Sequence, residues 1–179
     1  LLISKYMLFT LRNIKIDENT PNYSLIAKIL HWGFVVFFGY GIIKQVDNLD
    51  QLKDSSLLKF EILFASAFLF YLVVRFFYMN KTQKSSLPPR TSKVQKLVAR
   101  LVHLGMYLTL GGIAFSGLVI GFLFWTGLRG GLLIEIVIAI HEFLIPIMYW
   151  LIVIHVAAAI YHRLQRDGVW GSMVPFWKE

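Results

Sequence analysis

The run Leu132–Tyr161, LLIEIVIAIHEFLIPIMYWLIVIHVAAAIY, constrains this chain more than any other stretch. A helix that crosses a bilayer needs roughly 20 apolar residues, and this run exceeds that length. Two histidines lie inside it, His141 and His155, and His162 follows its end. At about 100° per residue, the fourteen steps from His141 to His155 fall about 40° short of four turns. The two imidazoles therefore share nearly one face, about 21 Å apart along the axis, and His162 continues the stripe. A histidine in hydrocarbon is costly and marks a functional site by default. The other reading is a polar group hydrogen-bonded to a neighbouring helix. What decides between them is whether other spans bring histidines to matching depth.

The chain has 179 residues, of which 57% are hydrophobic. A soluble domain is nearer half apolar, so the composition is that of a polytopic membrane protein. There is no cysteine, which excludes a disulfide framework, a thiolate metal site and an iron–sulfur cluster held by this chain. The net charge of +8 does not form a nucleic-acid footprint. Its cations cluster beside the apolar runs, as membrane orientation requires, so lipid and not nucleic acid is the expected surroundings.

Three further spans precede the last. The first, Tyr23–Val46, carries Lys28, His31 and Trp32, with Gly33, Gly39 and Gly41 lowering its bulk for a close neighbour or a flat cofactor. The second, Leu57–Tyr78, has Glu61 near its start and Arg75 near its end, and no histidine. The third, Val94–Trp125, opens on a capping-box pattern, Ser92 with Gln95, and carries His103 and a Gly117/Gly121 small-residue pair. In the fourth, Pro146 is expected to kink the helix between His141 and His155. The fold expected is an all-α integral membrane four-helix bundle over residues 23–162. Residues 1–22 form an N-terminal surface segment and 163–179 a cytoplasmic tail.

Orientation follows from charge. Arg75, Lys81, Lys84, Arg90, Lys93, Lys96 and Arg100 run through the second connector without an acid, and such a segment faces the cytoplasm. With four spans both termini then face the same way, and Lys5, Arg12 and Lys15 at one end and Arg163 and Arg166 at the other agree.

Depth now groups the histidines. His31 lies seven or eight residues from the cytoplasmic start of its span and His155 about seven from the cytoplasmic end of its own. At 1.5 Å per residue both sit roughly 10 Å inside that face, with His103 at a similar level. The outer half holds His141, Glu142 and, opposite, Glu61. Two imidazoles from different helices at one level grip a haem iron from both sides; an interhelical hydrogen bond between them is the alternative.

The stretches YSLIAKILHW (Tyr23–Trp32), LVVRFF (Leu72–Phe77), LVHLGMYL (Leu101–Leu108) and IHEFL…HVAAAIYH (Ile140–His162) resemble the bacterial cytochrome b-561 family, related to the b-type cytochrome subunits of hydrogenases and formate dehydrogenases. The resemblance covers all four spans. It implies two stacked haems. The inner would be held by His31 and His155. The outer would be held by His141 and a second-span histidine whose place falls on Glu61. One haem b, the inner, is therefore expected, with the outer absent, five-coordinate or differently ligated. His141 and Glu61 would then form a hydrogen-bonded pair or a proton or quinone contact. His103 matches a family histidine that does not ordinarily bind iron, and is assigned to a propionate or a quinone headgroup, with a structural hydrogen bond as the alternative. Arg75 and Arg100 are candidates for propionate contacts. His162 is read as an interfacial group.

The resemblance implies an electron-transfer subunit of the bacterial inner membrane. It would pass electrons between membrane quinone and a redox partner, working as a subunit more than as a stand-alone enzyme. Two other readings stand beside it. One is an accessory or anchoring subunit of a larger respiratory or photosynthetic complex. The other is a superoxide–quinone oxidoreductase.

Overall fold

A computed structural model describes residues 22–46 and 48–176. The N-terminal surface segment expected over residues 1–22 lies outside them, apart from Asn22. The described residues are helical with no strand: α1 (Leu25–Lys44), α2 (Ser55–Thr82), α3 (Lys93–Trp125), α4 (Leu132–Gln165) and a short α5 (Val169–Met173), with a 3-10 turn at Leu49–Lys53. Four of these, α1 to α4, are long and apolar enough to cross a membrane. The four spans read from the sequence are the four long helices, each extended by one to several residues at one or both ends except the first, which is shorter.

Local chemistry sets the boundaries. The Ser24 hydroxyl accepts from the Ala27 amide and opens α1. Asp54 accepts from Ser56 at 2.8 Å and opens α2, placing an anion at a helix start, where the backbone dipole favours it. The Ser92–Gln95 capping box forms as the sequence indicates. Between α3 and α4 the chain turns through Gly127 and Gly131, at φ 89° and 100°, a region that side chains other than glycine enter at a cost. The fourth helix runs unbroken through Pro146.

Glycines on α1 and α3 set how closely the helices pack. On α1, Gly33 faces the Tyr71 hydroxyl and Gly41 faces Phe64, both from α2. On α3, Gly111 and Gly121 receive Leu72 and Ile62 of α2, while Gly105 and Gly112 receive Leu151 and Leu144 of α4. The spacing of each glycine pair on α3 equals that of the leucine or isoleucine pair it meets, so antiparallel register is held along both seams. The small-residue pair singled out in the sequence divides: Gly121 seats α2, and Gly117 faces His141 of α4. Each helix packs on its neighbour in sequence, α1 on α2, α2 on α3 and α3 on α4. The first and last spans do not pack on each other in this way. The bundle is thus sealed along three sides and open along the fourth.

Two apolar cores fill it. One joins Phe34, Phe68, Leu72, Leu110, Ala114 and Met148 at mid-depth. The other joins Leu52 of the 3-10 turn with Leu58, Ile120, Leu123, Phe124 and Ile134, which closes the end of the bundle that carries the α1–α2 and α3–α4 connectors.

Candidate functional site

Three histidines meet at the unsealed side. His31 of α1 and His155 of α4 place their ring centroids 6.3 Å apart, with planes inclined at 62°. His103 of α3 approaches His155 edge-on, at 5.0 Å. The sequence placed these three at one depth, and the structure brings their rings together.

Each ring has a distinct set of partners. The Arg75 guanidinium, from the interior of α2, lies with Nη2 2.9 Å from His31 Nδ1. A guanidinium only donates, so Nδ1 accepts and the proton of a neutral His31 sits on Nε2. The same guanidinium lies over the rings of Phe34 and Tyr107, at 5.5 and 5.4 Å, and its Nε is buried with no hydrogen-bond partner. His103 Nδ1 lies 2.6 Å from the Ala99 carbonyl. That oxygen can only accept, so His103 donates from Nδ1 and carries its lone pair on Nε2. His155 makes ring contacts with His31 and His103, and among the described residues neither of its nitrogens has a hydrogen bond.

The prokaryotic cytochrome b561 family model matches residues 22–176. The chain belongs to the prokaryotic cytochrome b561 family. No curated protein and no solved structure is similar enough to match it. Membership makes it a bacterial membrane b-type cytochrome of electron transfer.

The inner histidines of this cytochrome fit a b haem. An imidazole nitrogen binds a first-row metal at about 2 Å, so two imidazoles on opposite sides of one iron hold their centroids about 6 Å apart. The His31–His155 separation of 6.3 Å meets that span. The two rings come from the two helices that do not pack together, which is where a flat macrocycle meets least side-chain packing. Among the described residues no three side chains converge on a bare metal ion. His31 and His155 are the residues that would hold the iron of a haem here. Arg75, with an orphaned buried nitrogen, is placed for a carboxylate.

The outer half does not fit a second haem. His141 Nδ1 lies 2.9 Å from the Ser116 hydroxyl, and that hydroxyl donates to the Gly112 carbonyl at 2.7 Å. His141 therefore points at α3. Glu61 keeps a buried carboxylate oxygen without a partner, and the pairing with His141 considered from the sequence is not made. Next to Glu61, Ile62 fills the Gly121 notch and Phe64 the Gly41 notch. No second imidazole faces His141 among the described residues.

Of the two arginines expected to contact a propionate, Arg75 sits within α2 against His31. Arg100 is exposed on the first turns of α3, and no hydrogen bond or ring contact ties it to the cluster. Sequence reasoning missed Ser116, Tyr107 and the His162–Asp167 pair, joined at 2.6 Å. Asp167 follows His162 by five residues across a helix end, a spacing that carries no helical signal. Ser116 sits next to Gly117 in the small-residue pattern, which was the available clue.

Proposed function

We propose that this cytochrome passes single electrons between membrane quinone and a redox partner protein through one haem b, with His31 and His155 as its axial ligands in the cytoplasmic half of the inner membrane. The observation that carries the reading is the pair of imidazoles with ring centroids 6.3 Å apart, drawn from two helices that do not pack closely on each other among the described residues. When bound, the haem supplies reversible one-electron chemistry at iron without a change of ligands.

The chain's own residues orient and charge that group. A neutral imidazole that binds through Nε2 keeps its proton on Nδ1, and Arg75 cannot donate to an N–H. Arg75 would then be free to pair with a haem propionate, for which its unpartnered buried Nε is a ready donor. His103 holds an open Nε2 lone pair beside His155, which suits acceptance of a proton from a quinol hydroxyl and not donation to a propionate. The basic α2–α3 connector supports a cytoplasmic position for this site and suits anionic lipid headgroups around it. Arg100, exposed there, belongs with that lipid-facing charge more than with the haem. A single haem is supported by Glu61, a poor substitute for imidazole at a low-spin iron, and by the side chains that fill the half around His141.

A second reading, an accessory or anchoring subunit, draws on the half around His141, where Ile62 and Phe64 pack into glycine notches and His141 meets Ser116. A reduced-minus-oxidised difference spectrum of the purified protein separates the two. A b-type alpha band that disappears on adding a short-chain quinone supports electron transfer. Absence of any haem band leaves the anchoring role. Reduction of the haem by superoxide, followed by reoxidation by quinone, points to superoxide–quinone oxidoreduction. Replacing His103 with Ala should slow the quinone step and leave the spectrum unchanged.

A further inference from the structure

The open side of the bundle is bridged at one end by the chain's own tail. After α4 the backbone reverses through two left-handed residues, Arg166 at φ 50° and Gly168 at φ 83°. Asp167, between them, is tied twice. Its Oδ2 lies 2.6 Å from His162 Nδ1, and its Oδ1 accepts from the Val169 amide at 3.2 Å. The following turn, α5, packs on α4, with the Arg163 guanidinium 4.9 Å over the Trp170 ring and Ser172 only 1% exposed. The chain then reaches α1. The Trp32 indole N–H donates to the Met173 carbonyl at 3.2 Å, and Phe176 lies against the Trp32 ring at 6.2 Å.

Trp32 is the residue after His31. A contact that fixes its indole fixes the rotation and depth of the turn that carries His31. The other ties of this turn run to α2: Tyr71 donates to the Leu30 carbonyl and Ser24 pairs with Tyr78 and Gln83. None of them reaches α4. Among the described residues, the tail packs on α4, which carries His155, and supplies a hydrogen-bonded link from there to α1.

We propose that the segment 167–176 is a strap across the inner site, with Asp167 and Trp32 as positioning residues that set His31 opposite His155. Asp167 acts by anchoring the strap on α4 through His162, and Trp32 by receiving it on α1. Neither touches the iron. The consequence for haem rests on the ligand assignment proposed above; the mechanical link between α1 and α4 does not.

The test has two arms. The chain has no cysteine, so Leu25→Cys and Leu164→Cys, at positions 72% and 78% exposed near the two helix ends, take spin labels without background. In the full-length protein without haem, the parent pair should give one narrow distance distribution. Asp167→Ala and, independently, Trp32→Phe should broaden it, and Asp167→Asn, which keeps an acceptor for His162, should restore it. In the haem-loaded protein the same two broadening variants should shift the largest g value of the low-spin signal at wild-type haem content, because the angle between ligand planes changes. Unchanged distance distributions in both variants overturn the strap. A parent protein without a low-spin haem signal overturns the ligand assignment instead, and leaves the strap to be judged by the first arm.

Discussion

Arg75 Nη2 lies 2.9 Å from His31 Nδ1, inside α2 and half-buried. The guanidinium is a fixed positive charge beside the imidazole proposed to bind iron, whether it meets that ring or a propionate. A cation beside a haem favours the reduced state, which carries one less positive charge. Arg75→Gln should therefore lower the midpoint potential by on the order of 50 mV, which for one electron is about 1 kcal/mol of lost charge interaction. Potentiometric titration of the alpha band measures it. A potential equal to wild type would separate Arg75 from the haem.

His141 is satisfied by Ser116 and faces no second imidazole. His141→Ala should accordingly leave the haem content per polypeptide as it is in the parent. Pyridine haemochrome analysis decides this, and a halved haem content in the variant would show that the outer site is loaded after all.

The seam between α2 and α3 depends on the absence of a side chain at Gly121, where a Cβ would stand 2.7 Å from Ile62 Cγ1. Gly121→Ala should destabilise the bundle by about 1–3 kcal/mol through overpacking. Ile62→Ala in the same chain should recover part of the loss, because it removes the Cγ1 that the new Cβ would meet. Unfolding in detergent, followed by circular dichroism, gives both values; equal stability of the Ala variant and the parent would contradict the packing.

The fold was readable in the residues because long apolar runs leave few alternatives to spanning helices. The capping pattern at Ser92 and Gln95 also carried over to the structure without change. The inner histidines were readable as a group because span ends fix depth and depth depends only on residue count. What depth cannot give is rotation about the helix axis. Glu61 and His141 share a level, yet His141 turns to Ser116 on α3. Arg75 was legible as a charge but not as a partner of His31, since its long side chain reaches across to α1. The strap was invisible for a related reason. Its contacts join Trp32 to Met173 across the whole length of the chain, and nothing local marks either residue as a partner.

The most direct measurement is haem per polypeptide, with the low-spin signal recorded beside it, in the parent and in His31→Ala and His155→Ala. One b haem per chain in the parent, with the low-spin signal lost from both variants, is the expected result. A low-spin haem retained at parental content in either variant would contradict the ligation of iron by His31 and His155.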